Sequence, residues 1–409
     1  MPMTSEVKGQ HLTQVVMPRD LALGDVNGRR MIIRGDEHKA IGLKRVYYQL
    51  DPVSFTAGAF TNNPITFRLA PNSCSQIDNA YLELTCIESG GLASVTPVVA
   101  PFLIDRIDVG LNGTVNPLQS LPAEWLYLMN QFITAEEVAS FLALNSQNMT
   151  ATAYAGESAI AASGTAVYLI PLLGSLFTLL NPQTYNADVI IQVYPRAAPV
   201  SAGTGTLQLS NARLRIHTRK DDLVDNYSAR LHGMYDRLIS YTNFFITTHS
   251  QTLTAGTQTE IALQGVQSTV GAMCVMLRAS KSVTASAIRV FSALGGTSEF
   301  NGAIDLVDYS KITLMGSGAV SPQLTRLSTA WTTRGDFSSK VAVYWLIFSE
   351  DPSSTAVRGK HTGAVAMDGR QFLRLTPGTG FTSQTYVVDV LYLGHAALSL
   401  SKGRYTRIH

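Results

Sequence analysis

From Val46 onward the chain keeps returning to one pattern: a short run of alternating or wholly apolar residues, closed by Pro, Gly or Asn. Val46-Tyr47-Tyr48-Gln49-Leu50 stops at Asp51-Pro52, and Ile65-Thr66-Phe67-Arg68-Leu69 stops at Ala70-Pro71-Asn72. Ile77 to Ile87 alternates over a longer span, and Phe102 to Val109 leads into Asn112-Gly113, a tight-turn pair. Side chains along a strand point alternately to two faces, so alternation marks one buried and one wet face. Many such runs separated by turn residues restrict the chain to a sandwich or barrel of β-strands.

The second half repeats this style. Phe244 to His249, Thr259 to Leu263, Val270 to Leu277, Phe372 to Leu375 and Thr385 to Leu393 read as strands, as does Leu207 to His217 in the first half. Val341 to Phe348 is a fully apolar strand, stopped by Asp351-Pro352. Two stretches depart from the strand period. Trp125, Leu126, Leu128, Met129 and Phe132 sit at helical spacing, continued by Glu136 to Leu144, which predicts one or two short inserted helices. Residues 218–240 are charged, with Leu223, Tyr227, Leu231, Met234 and Leu238 at three- and four-residue steps, and predict a helical connector. The expected organisation is an N-terminal arm over 1–44, a first eight-stranded unit over 45–220, a connector over 221–240 and a second unit over 241–409. The duplication is architectural; no residue-level repeat accompanies it.

A chain of 409 residues suits two domains of ordinary size. Only 15% of the residues are charged, while 45% are hydrophobic, which fits a surface partly covered by neighbours. The formal net charge of +2 is too small to suggest direct nucleic-acid binding. Cys74, Cys86 and Cys274 are widely spaced and odd in number, so buried free thiols are expected. The start, MPMTSEVKGQHLTQVV, lacks the order of a secretory signal, so intracellular synthesis is expected. The apolar run Val167 to Leu180 is broken by Pro171 and Gly174 and falls short of the roughly 20 residues a membrane helix needs.

Four landmarks, in order, carry a family resemblance. IDRIDVGLNG followed by EWLYLMN is similar to a strand, glycine turn and "W-L" helix; Asn112, Gly113 and Trp125 carry it. The stretch from Gly164 to Arg196, with Pro171 in "IPL", Asn181-Pro182 and the strand Val189 to Tyr194, is the second. RGKHTGAVAMDGRQFLRL, with Gly363, is the third, although Ala366 stands where an Asn is common in the family. The closing stretch Val388 to Ile408 keeps Gly403, while His395-Ala396-Ala397-Leu398 replaces an Asn-containing core. Together these resemble the double jelly-roll major capsid proteins of tailless icosahedral double-stranded DNA viruses, in the lineage of PRD1, adenovirus and the nucleocytoplasmic large DNA viruses.

The resemblance implies an all-β chain of two tandem jelly rolls with short inserted helices. It implies homotrimeric, pseudo-hexagonal capsomers tiling an icosahedral shell beside minor capsid proteins. The location would be the virion, after synthesis in the host cytoplasm, with an internal viral membrane beneath the shell. Arg19, Arg29, Arg30, Arg34, Lys44 and Arg45 in or beside the arm are the candidate contacts with that membrane or inner face, because a basic segment is attracted to an anionic surface. Residues 145–166 and 292–302 are candidate outer loops. For Trp125 two roles stand open, an inter-subunit contact or a cap on the barrel end.

Chemistry is sparse. The eight histidines form no H-x-H or H-E-x-x-H pair, and there is no P-loop or G-x-S-x-G elbow. No cofactor, metal or catalytic residue is expected, and the chain is read as a structural protein. The alternatives are a two-domain β-sandwich that binds or cleaves carbohydrate, with Asp221-Asp222, Asp305/Asp308 and Trp331 as diffuse candidates, and a minor or vertex capsid protein.

Overall fold

The computed structural model describes residues 44–71, 73, 76–89, 93–94, 103–111, 116–128, 159–160, 165–172, 174–180, 188–197, 206–220, 237–265, 267–278, 313–315, 341–349, 363–377, 383–401 and 404–408. In the first half the strands are β1 (Lys44–Leu50), β2 (Gly58–Ala59), β3 (Ile65–Leu69), β4 (Gln76–Ser89), β5 (Ala93–Ser94), β6 (Ile104–Leu111), β7 (Gln119–Pro122), β8 (Ala159–Ile160), β9 (Thr165–Pro171), β10 (Val189–Pro195) and β11 (Thr206–Lys220). Two short helices interrupt them, α1 (Ala123–Leu128) and α2 (Leu176–Leu179). The second half holds β12 (Arg237–Leu253), β13 (Thr259–Ala262), β14 (Gln267–Arg278), β15 (Thr313–Met315), β16 (Val341–Ile347), β17 (Val365–Asp368), β18 (Phe372–Leu375), β19 (Gln384–Ser401) and β20 (Arg404–Ile408).

The strands pair in the same way twice. Sheet I has the order β1-β11-β4-β9, with β2 on β11, and sheet II the order β3-β10-β6-β7. Sheet III has the order β12-β19-β14-β16, with β17 on β14 and β20 on β19, and sheet IV the order β13-β18-β15. A small β5-β8 pair stands apart. Leaving the short extra strands aside, sheet I joins the first roll's first, last, third and sixth strands and sheet II the four between; among the described residues sheet III joins the second roll's first, last, third and fifth strands and sheet IV the remaining three. This is the double Greek-key winding of a jelly roll. All the pairings are antiparallel.

Period-2 alternation sets the faces. In β3 the pattern places Ile65, Phe67 and Leu69 inside, and β10 places Val189, Ile191 and Val193 inside. They meet Leu82, Leu84, Leu214 and Ile216 from sheet I in one core. Pro171 closes β9, where a missing N–H is tolerated because β9 is the free edge of sheet I.

Three sequence expectations change. The connector read as helical over 218–240 has strand at both ends: Thr218–Lys220 finish β11 and 237–240 begin β12. The spacing that suggested a helix gives way to pairing with a distant segment, Arg237↔Leu400 through Leu253↔Gln384. The rest of it, 221–236, lies outside the described residues. The arm ends one residue earlier than expected, because Lys44 already pairs with Lys220. Within the loop expected over 145–166, Ala159–Ile160 pair with β5 and Thr165 opens β9. α1 bears out the helical spacing of Trp125, Leu126 and Leu128, while Met129, Phe132 and the helical reading of Glu136 to Leu144 fall outside the described residues.

Candidate assembly surfaces

The two rolls are joined through their interiors. Trp125 on α1 is fully buried and stacks on Phe244 of β12, with ring centroids 4.4 Å apart and planes 23° apart. Arg196, just past β10, reaches Glu124 on α1 at 3.7 Å and Asp105 at 3.6 Å, which fixes the helix against sheet II. Trp125 is buried within the chain, packed in the core cluster of its own roll as well as on Phe244. Through that stack it links one roll to the next.

Beside the stack lies a polar knot. Gln119, 1% exposed, donates from Nε2 to the Thr242 carbonyl at 2.6 Å and to the Gly174 carbonyl at 2.9 Å. Its Oε1 accepts from the Leu176 N–H at 2.6 Å, at the start of α2. Gly174 takes a positive φ of 71°, which turns the chain between β9 and α2 and aims that carbonyl inward. Tyr241 Oη donates to the Leu118 carbonyl at 2.9 Å. Side-chain bonds to backbone thus tie β7, α2 and β12 together, with each buried polar group named here given a partner.

The central part of sheet III is consequently buried on both faces. Met273, Val275, Val388, Val390 and Tyr392 face the second roll's own core with Ile261, Leu373 and Leu375 of sheet IV. Ala272, Cys274, Leu391 and Leu393 face the opposite way and join the first roll's core with Phe244. Cys86 and Cys274 are buried free thiols, as expected, and burial pushes the Cys86 thiol up to about 12. Cys74 is outside the described residues.

The other candidate residues divide in the same way. Lys44 and Arg45 lie in β1, where the register sets them opposite Lys220 and Arg219, so four basic positions fall at one end of sheet I. Gly363 precedes β17 with φ 150°, and a Cβ there would meet the Phe348 carbonyl oxygen at 2.9 Å. Arg19, Arg29, Arg30, Arg34, Asn112, Gly113, Pro182 and Gly403 are outside the described residues, as are Asp221-Asp222, Asp305/Asp308, Trp331 and the 292–302 loop. Among the described residues no group of three or more His, Cys, Asp or Glu could hold a metal ion. No described helix is long and apolar enough to cross a membrane. Gln119 escaped the sequence reading, since nothing local separates a structural glutamine from a solvated one.

No protein-family model matches the chain, and no curated protein sequence matches it either. Solved structures do. PBCV-1 VP54, as fitted into a cryo-EM reconstruction of the virophage Sputnik, aligns at a TM-score of 0.64 and 10% identity, over 93% of this chain and 99% of that one. The Faustovirus major capsid protein aligns at 0.56 and 10%, over 98% and 99%. The Sputnik virophage structure from cryo-EM aligns at 0.55 and 10%, over 94% and 91%. The fold is that of the double jelly-roll capsid proteins. Both rolls of the double jelly roll are covered in these alignments, so the likeness extends to how the rolls sit side by side.

Proposed function

We propose that this chain is the major capsid protein of a tailless icosahedral double-stranded DNA virus. It acts as a structural protein of the virion, synthesised in the host cytoplasm. Three copies form a pseudo-hexagonal capsomer, which tiles the shell with neighbouring capsomers and minor capsid proteins. The observation that carries the reading is the near-complete, end-to-end likeness of both rolls to capsid proteins, rather than a likeness to one sandwich alone. In this reading the stretch from Lys44 to Lys220 and the stretch from Arg237 onward are the two wall-forming rolls. Asn112, Gly113, Pro171, Pro182, Gly363 and Gly403 shape turns and strand ends.

The arm, residues 1–43, faces the shell interior and an anionic membrane there. Arg19, Arg29, Arg30 and Arg34 supply charge, and the Lys44, Arg45, Arg219 and Lys220 pairs extend it onto the roll where the arm enters sheet I. Deleting residues 1–40 is expected to abolish sedimentation of the protein with anionic vesicles while leaving its oligomeric state in solution unchanged. Unaltered vesicle binding would remove this role for the arm.

Light scattering after size exclusion tests the main proposal. A mass near three times 44.2 kDa, followed by hexagonal arrays or shells in electron microscopy, is expected. A stable monomer that binds glycans would overturn it in favour of a carbohydrate-binding sandwich.

A further inference from the structure

The sheet edges in this chain are short, with one exception. Among the described residues the edge strands β1, β9 and β16 run for seven residues, β3 for five, β7 and β13 for four and β15 for three. β12 runs for 17 residues along the outer edge of sheet III and pairs with β19 alone among the described residues. Its ladder keeps one register from Arg237↔Leu400 to Leu253↔Gln384, whereas the β11–β4, β14–β19 and β10–β6 ladders each shift. After Arg237 the strand contains no Lys, Arg, Asp, Glu, Pro or Gly. Short length, charge, proline and bulges are the devices that stop an edge from recruiting another strand. Beyond Arg237, β12 uses none of them.

The first part of this strand is engaged. Tyr241, Thr242 and Phe244 meet the first roll through Leu118, Gln119 and Trp125. Over 245–253 the strand is held from the second roll. Leu253 is buried in that roll's core, Phe245 packs against it, and Thr247 Oγ1 lies 3.2 Å from both Tyr392 Oη and His249 Nε2. On the other face Thr248, Ser250 and Thr252 are exposed, and Ile246 is 40% exposed. Alternate N–H and C=O groups of an edge strand point away from its ladder. A strand already fixed in place loses little freedom when another pairs with it.

We propose that residues 10–17 of the chain's own N-terminal arm add to the β12 edge over 245–253 as a further strand of sheet III. Gln10-His11-Leu12-Thr13-Gln14-Val15-Val16-Met17, between Gly9 and Pro18, lies in the longest stretch of the arm without Lys, Arg, Asp or Glu. Thr13, Val15 and Val16 are β-branched and suit a strand, and Pro18 ends it because proline cannot donate to a ladder. An uncharged strand on an uncharged edge buries no unpaired charge. Residues 18–43 reach up to about 85 Å at ~3.3 Å each, and a domain of this size is about 40 Å across. The arm enters the first roll at β1, and the second roll is joined to that roll through Trp125 and Phe244. Tethering gives the chain's own arm an effective concentration of about millimolar, which outcompetes the arms of other copies in dilute solution. The added strand closes an edge that is otherwise a template for aggregation. It also makes Arg19, Arg29, Arg30 and Arg34 part of a loop anchored at both ends. This inference does not depend on the capsid reading.

Amide hydrogen exchange over 245–253 tests it, in the full chain, in a chain lacking residues 1–17, and in Thr13→Pro and Gln14→Pro. One of the two neighbouring prolines removes an N–H that faces β12. In the full chain the outward amides of β12 are expected to be protected like the inward ones. The deletion and one of the proline variants are expected to speed them about tenfold or more, with β4 and β11 unchanged as the measure of an intact fold. Fast outward amides in the full chain, or protection that survives the deletion, would overturn the added strand. The deletion spares Arg19, Arg29, Arg30 and Arg34, so vesicle binding reports on the arm's charge separately. A benzophenone side chain at position 15, in isotope-labelled and unlabelled chains mixed before assembly, identifies the donor. Cross-links to β12 between peptides of one label are expected. Mixed-label cross-links would give the edge to another copy's arm and overturn the assignment.

Discussion

The two jelly rolls have the same winding but unequal interiors. The first roll closes its own core, with Ile65, Phe67, Leu82, Leu84, Val189, Ile191, Leu214 and Ile216 from two facing sheets. The second roll divides its main sheet between two cores: Val388, Val390 and Tyr392 serve its own, while Leu391 and Leu393 on the same strand serve the first roll's. Alternation along β19 therefore does two jobs, and burial of sheet III is incomplete without the neighbouring roll. A sheet covered on both faces needs apolar residues at every position, which is how Val270 to Leu277 and Val341 to Phe348 read. The comparison teaches that the second roll is supported by the first more than the reverse.

Five substitutions probe that asymmetry. Trp125→Ala removes the stack on Phe244, and large aromatic truncations cost about 3–5 kcal/mol. It is expected to destabilise the second roll even though the residue belongs to the first, so protection of β12 and β19 amides from hydrogen exchange should fall along with that of α1. Unchanged β12 and β19 protection would break the dependence. Leu373→Ala cuts only the second core and should cost about 3 kcal/mol in chemical denaturation. Its effect should stay within β13, β18 and sheet III, leaving exchange in sheet II untouched.

Gln119→Ala leaves the Leu176 N–H and the Thr242 and Gly174 carbonyls without their side-chain partner, an expected loss of about 2 kcal/mol in urea unfolding. Pairing it with Phe244→Ala in a double-mutant cycle should give a non-zero coupling, since both act across one seam. Gly363→Ala forces a β-carbon toward the Phe348 carbonyl at a φ that L-residues avoid, for about 1–2 kcal/mol, confined to the second roll.

The smallest effect concerns pH. Burial holds His249 and His395 in the second roll below the ordinary 6.5; for His249 the Asp389 carboxylate opposes this weakly. Below pH 6.5 the unfolded chain binds more protons than the folded one, so stability falls as pH drops through that value and levels off beneath the folded-state values. His395→Gln should flatten this slope slightly in thermal melts between pH 7 and pH 5, while melts of the parent chain that do not fall over that range would break the linkage.

Much of the fold was legible because strands announce themselves by period and by the turn residues that end them. β3, β4, β10, β16 and β18 lie close to where alternation and the Pro, Gly and Asn stops placed them. The start of β12 was not legible. Arg237 to Ser240 follow a charged stretch whose apolar residues keep helical spacing, and what makes them strand is the ladder with Leu400 to Ala397 far along the chain. The seam was half legible. Trp125 drew notice as a large aromatic on a short helix, yet its partner Phe244 lies beyond the connector, and no local pattern pairs them.

What the sequence by itself determined is the class of structure: period-2 runs bury one or two faces, and low charge asks for neighbours. It also determined which residues of each strand share a face, because register within a strand is local. Only the tertiary structure decided which face meets which. Gln119, Leu391 and Tyr47 are alike in being strand residues with one side to spend. The first ties two rolls, the second enters a core built mainly by another roll, and the third stays in water. The difference arises from how the rolls dock, and docking depends on contacts between segments far apart in the chain, whose energies no short window of sequence contains.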